Sequence, residues 1–109
     1  KRFCVPSVGT SNTTLYTVPG SSKESIVIGI TMANKSNSGI TGSIFIDNED
    51  GSNDVFIVKD ASIPAGSSLE VMSGNKLVLQ NDGSNADVLE GIASATSSLD
   101  ITVSVLEDV

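Results

Sequence analysis

The chain has 109 residues and a formal net charge of −7, with 6 Lys and Arg against 13 Asp and Glu. That is the length of one domain, enough to bury roughly 65% of the surface its unfolded chain exposes and too little for a second core. Six scattered cations exclude a phosphate-tracking surface, so neither DNA nor RNA is an expected partner.

In chain order, Lys1 to Val5 read as a short first strand stopped by Pro6, and residues 7–12 as a polar loop. Thr13 to Val18 return to β-branched and aromatic residues, which favour a pleated, half-buried surface. Pro19-Gly20 predicts a type II turn, with the loop continuing through Ser21, Ser22 and Lys23. Ser25 to Ala33 is the clearest strand. Ile26, Ile28, Ile30 and Met32 share one face, expected inward, while Val27, Gly29, Thr31 and Ala33 share the other. Gly29 marks a bulge or a close approach of another backbone.

After a loop from Asn34 to Gly39, Thr41 to Asp47 alternate as a second long strand. Asp50-Gly51 is a hairpin signal. Val55 to Lys59 is apolar on both faces, which predicts a central strand. Ile63 to Gln80 reads as a hairpin-like corner of two short strands, Leu69 to Met72 and Lys76 to Gln80. One turn is set by Pro64 at its second position with Gly66 beyond, and the other by Ser73, Gly74 and Asn75. Asn81 to Asn85 is a further turn, and Ala86 to Ser94 reads as a strand with a helix as the alternative. Leu99, Ile101, Val103 and Val105 then alternate against Asp100, Thr102 and Ser104 in a final strand. Eight or nine short strands without strand-helix alternation predict one domain over residues 1–109, an all-β antiparallel sandwich, with the jelly roll among the strand orders the pattern admits.

The chemical inventory is poor. The sequence contains no histidine and a single cysteine, Cys4. It therefore has no disulfide framework, no Ser-His or Cys-His nucleophile pair and no ordinary zinc site. Phosphate-loop and dinucleotide fingerprints are absent. Ser67, Ser68, Ser73 and Lys76 have no base to activate them. The carboxylates cluster in turns, and the four aromatics (Phe3, Tyr16, Phe45, Phe56) make a poor platform for sugar, so glycosidase chemistry is not expected. In the acidic turn from Asp47 to Asp54, an EF-hand register with Gly51 in sixth place puts Ile46 at the first ligand position, where it cannot coordinate. The acidic turn reads as a solvated hairpin turn, with a calcium loop of another geometry as the alternative, and no enzyme activity, cofactor or metal-ligand residue is expected. No apolar run approaches the ~18 residues of a membrane span and no signal-peptide h-region precedes the first strand, so no membrane partner is expected either.

Asn12-Thr13-Thr14 and Asn34-Lys35-Ser36 match the glycosylation acceptor pattern, as chance allows in a chain rich in these residues. Lys1, Arg2, Phe3, Cys4 and Val5 join two cations to three apolar residues in an acidic chain. They form the candidate partner-binding stretch: residues 1–6 are either an extended arm that adds to a neighbour's sheet or an ordinary edge strand of their own.

Several segments carry a family resemblance: Thr14-Leu15-Tyr16-Thr17-Val18-Pro19, Val58-Lys59-Asp60, Ile63-Pro64-Ala65-Gly66-Ser67-Ser68-Leu69-Glu70, Lys76-Leu77-Val78-Leu79 and Val103-Ser104-Val105-Leu106-Glu107. In this order they resemble small virion structural proteins of marine and cyanobacterial phages. The stretch Asn81-Asp82-Gly83-Ser84-Asn85 departs from the family, whose Lys-Leu strand often enters a Gly-Asp turn. The resemblance implies a non-enzymatic building block located on the virion, a head-decoration or neck/tail component. Its implied partners are other virion proteins and further copies of itself. The competing reading is a host-glycan-binding or adhesion β-sandwich module.

Overall fold

The computed structural model describes residues 1–20, 24–47, 54–72, 76–81 and 86–107. Among them are nine strands: β1 (Arg2–Val8), β2 (Thr13–Thr17), β3 (Glu24–Asn34), β4 (Ile40–Asp47), β5 (Asp54–Ile63), β6 (Ser68–Glu70), β7 (Leu77–Gln80), β8 (Val88–Ala93) and β9 (Leu99–Glu107). The turns expected at Asp50-Gly51 and Ser73-Gly74-Asn75, and most of the polar loop after Gln80, lie outside the described residues, as does the greater part of the acidic stretch weighed for calcium. The turn expected at Pro19-Gly20 runs into residues 21–23, also outside them.

The pairing is nested. β1 pairs β9, β2 pairs β8, β3 pairs both β6 and β7, and β4 pairs β5, every pair antiparallel. Alternate pairs go to alternate sheets, a five-stranded one ordered β1-β9-β3-β6 with β7 also on β3, and a four-stranded one ordered β2-β8-β4-β5. A long antiparallel ribbon rolled up in this way is the double-sheet jelly roll. The all-β sandwich expected from alternation is the observed fold.

The core lies between the sheets. Val27, Ile30, Met32, Ile44, Leu89, Leu99, Ile101, Val103 and Val105 are fully buried there. Two glycines let the sheets close. A Cβ on Gly91 would stand 2.9 Å from Ile101 Cδ1 and 3.3 Å from Leu15 Cδ1, and one on Gly42 would stand 3.0 Å from Met32 Sδ. At one end of the sandwich the loops are laced by main-chain bonds, Asn34 N to Ser67 O, Lys35 N to Ser98 O, Ala93 N to Gly9 O and Ser94 N to Thr41 O.

Five expectations are corrected. Pro6 does not stop the first strand. β1 is an edge strand, where a missing N–H goes unnoticed, and it continues through a register shift between Val5 and Val8 with Ser7 at φ 57°. In β3 the inward phase changes: Val27 lies opposite Val105 but Gly29 opposite Ser104, so Ile28 is an extra residue. Val27 is therefore inward below the bulge and Ile30 and Met32 above it, while Ile28 is 51% exposed. β5 is an edge strand and not a central one. Its apolar Phe56 packs on Phe45 across the outer face, ring centroids 5.1 Å apart.

The stretch Ile63 to Gln80 is not a hairpin. β6 and β7 do not pair with each other but lie in line along the same edge of β3, β7 against Glu24–Val27 and β6 against Thr31–Ala33. The turn before β6 is closed by Ser67 N donating to Pro64 O at 3.0 Å. Pro64 therefore stands first in that turn and Gly66, at φ 72°, third, where a type II turn needs positive φ.

Candidate functional site

The outer face of the five-stranded sheet is the surface with the most unusual composition. Its first feature follows from alternation in β9. Val105 points into the core, so Leu106 points out, at a phase otherwise held by Asp100, Thr102 and Ser104, and it is 61% exposed. Leu106 is opposite Ile26, and Ile26 is opposite Val78, itself 53% exposed. These three side chains form one outward apolar row across β9, β3 and β7, and the bulged Ile28 stands beside it. Scattered exposed apolar residues are ordinary on a protein surface, whereas a contiguous row on a sheet face marks a place of contact.

The next rows are built of small residues. Arg2, Ser104 and Gly29 lie side by side, and after them Cys4, Thr102, Thr31 and Glu70. Glu70 folds back over the gap between β6 and β7. Its carboxylate accepts from Thr31 Oγ1 at 2.9 Å and from the Ile30 N–H at 3.3 Å, and it approaches to 4.0 Å the position a Gly29 Cβ would take. Val71 N donates to Ile30 O at 2.8 Å. Two short strands leave part of the β3 edge without a ladder partner, and Glu70 and Val71 supply the missing bonds.

Two polar clusters hold the strands that frame this face. Under its apolar end, the Tyr16 hydroxyl lies 2.7 Å from the buried Ser25 Oγ and donates to Glu107 Oε2 at 2.6 Å, while Lys1 Nζ lies 3.0 Å from Glu107 Oε1. Burial and the bond to Glu107 push the Tyr16 phenol up to about 12. Glu107 is held below the ordinary carboxylate range, first by the Tyr16 hydroxyl and then by Lys1. Toward the laced loops, Asp100 Oδ1 accepts from Ser7 N at 2.9 Å and meets Lys35 Nζ at 2.9 Å, and Lys35 Nζ also donates to Ser7 Oγ at 2.8 Å. These contacts, the Ser7 N–H foremost, lower Asp100. They also fix the bulge of β1.

The five residues singled out from sequence are divided by this geometry. Phe3 and Val5 turn inward against the core, Phe3 with its ring 5.0 Å from that of Tyr16. Arg2 and Cys4 stand exposed on the outer face. Lys1 is spent on Glu107, and the whole stretch pairs with β9 of its own chain.

Sequence reading missed Leu106, Val78, Ile26 and Ile28. For Leu106 the signal was present, an apolar residue in a polar phase; for Ile28 it was the neighbouring Gly29, read as the mark of a bulge or close approach, while the identity of the extra residue is set by the pairing with β9. Of the two glycosylation triplets, Asn34 is buried, with its amide donating to Ser38 O and Ile63 O. Among the described residues no group of three or more His, Cys, Asp or Glu is placed to hold a metal ion.

No family model and no curated protein matches the chain. Among solved structures, a chain in the structure of infectious bursal disease virus Gx strain is similar over 94% of this chain, at 16% identity and a TM-score of 0.43. The present chain spans 30% of that chain's length.

Proposed function

We propose that the protein is a non-enzymatic virion structural component that binds repeated sites on a phage particle, as a head-decoration or neck/tail part. The observation that carries this reading is the outer face just described, a sheet surface of mostly small side chains with one exposed apolar row across it. Such a face offers backbone-close area with an exposed apolar row to another protein surface, and nothing in it resembles an acid pair about a cleft. A jelly roll suits the task because rolling the ribbon leaves two broad sheet faces on a small rigid body, and jelly rolls recur in virus shells. The series of segments that resembles small phage virion proteins is consistent with it. Copies bound side by side on a repeating shell would gain from avidity without new contacts.

Mass spectrometry and immunogold labelling of purified particles test the proposal. The chain is expected at a fixed copy number on the particle exterior, and its absence from purified particles would refute it. The glycan-binding alternative has one observation in its favour: Phe56 on the β5 edge is 44% exposed, with Lys59 Nζ 5.1 Å from its ring centroid. Binding to host cells that is lost in Phe56→Ala would support that reading.

A further inference from the structure

We infer that the outer face of the five-stranded sheet is a self-association surface on which a second copy of this chain docks face to face about a two-fold axis running along the strands. The inference bears on the proposed function only in that copies of the chain associate, and it adds which surface they use.

The argument is one of charge placement. Across the sheet the order is β1-β9-β3-β6, and the row after the apolar one begins with the Arg2 cation on β1, passes Ser104 and Gly29, and meets the Glu70 carboxylate that reaches beside Gly29. Three strand spacings, about 14 Å, separate the strands that carry the two charges, and the Glu70 carboxylate reaches back toward β3. A two-fold axis parallel to the strands and midway between β9 and β3 exchanges left and right while keeping each row at its level. Arg2 of one copy then faces Glu70 of the other, twice, and the small residues Ser104 and Gly29 oppose each other and let the backbones approach. Leu106 meets Ile26 of the second copy, twice, and Val78 lies outside this pair on the β7 side.

A two-fold contact requires a patch complementary to itself, and opposite charges on either side of a neutral centre satisfy this. In a chain of net charge −7 a second copy is otherwise repelled, which makes the paired Arg2 and Glu70 the deciding element. A face of about 20 Å by 30 Å covers on the order of 600 Å2 per copy, or 1,200 Å2 in all, at the lower end for a specific interface. The association is therefore concentration-dependent and not obligate.

The test is sedimentation velocity of the purified full chain across a concentration series, with circular-dichroism melts confirming that each variant folds. The unsubstituted chain is expected to pass from monomer to dimer, and Leu106→Asp, at a solvent-exposed position, to remain monomeric. Arg2→Glu alone and Glu70→Arg alone are each expected to weaken the dimer by about tenfold or more, since each places like charges opposite one another. An equimolar mixture of these two variants is expected to restore it, because both charge pairs are then opposite.

If Glu70→Arg does not fold, the alkylation rate of the native Cys4 thiol decides the matter. It lies on the same face and is expected to slow as the dimer forms. A chain that is monomeric at every concentration, a dimer indifferent to Leu106→Asp, or a mixture of folded variants that does not associate would each overturn the inference. A monomer found on purified particles would refute this inference and leave the proposed function standing; a dimer absent from them would do the reverse.

Discussion

Tyr16 joins three strands through one hydroxyl, and burial with the bond to Glu107 pushes that phenol up to about 12. Removing the hydroxyl leaves the buried Ser25 without that partner and Glu107 without its shortest bond. Tyr16→Phe is therefore expected to lower stability by about 1–2 kcal/mol in urea denaturation. The pH dependence has a definite sign. A phenol whose folded value is raised contributes stability that is complete below the ordinary 10.0 and is lost as pH rises toward about 12. Glu107 is shifted downward, so its contribution is present above the ordinary carboxylate value and is lost as pH falls through its lowered one. Melting temperatures recorded against pH should accordingly decline on the alkaline side between 10 and 12, and Tyr16→Phe should flatten that limb. At Gly91, three methyl carbons stand within 3.4 Å of where a Cβ would go. Gly91→Ala is expected to cost about 1–3 kcal/mol by overpacking, read as a lower denaturation midpoint at unchanged m-value.

Among the elements, β3 carries the most information about how the local pattern was overridden. Its alternation of apolar residues is real, but one inserted residue at Ile28 transfers the inward role from one phase to the other. No periodicity within β3 announces this, since both phases are apolar around Val27 and Ile28. The same strand receives β7 and β6 in succession along one edge, and Glu70 fills the interval between them. Hydrogen exchange tests that role directly. In Glu70→Ala the Ile30 amide is expected to exchange faster than in the unsubstituted chain, with a stability loss of about 0.5–1.5 kcal/mol, while Glu70→Gln, which keeps an acceptor oxygen, should retain most of the protection. The apolar composition of β5 predicted a central strand because two-sided burial is the usual reason for it. Here part of that composition serves instead to cover Phe45 on the outer face by Phe56, and the strand stays at the edge.

For the whole molecule, nesting of the pairs places Arg2 opposite Ser104 and Thr17 opposite Val88, so the sheets close only by bringing distant parts of the chain together. Loop-closure entropy must be overcome before such pairs form, and stopped-flow refolding is expected in milliseconds to seconds, slower than for helical domains of this length; completion within tens of microseconds would contradict the pairing. The sequence by itself determined that the protein is all-β, where most strands run, and that nucleophile-histidine pairs and ordinary zinc sites are missing, because residue inventory and two-residue alternation are local properties. Only the tertiary structure decided which strands are neighbours, that β5 is an edge, that β6 and β7 share β3, and that Arg2 and Glu70 flank one outer row with an apolar row beside it. Alternation tells a side chain that it has an inside and an outside; which strand lies beside it, and hence what shares its face, is settled by packing among residues up to a hundred positions apart.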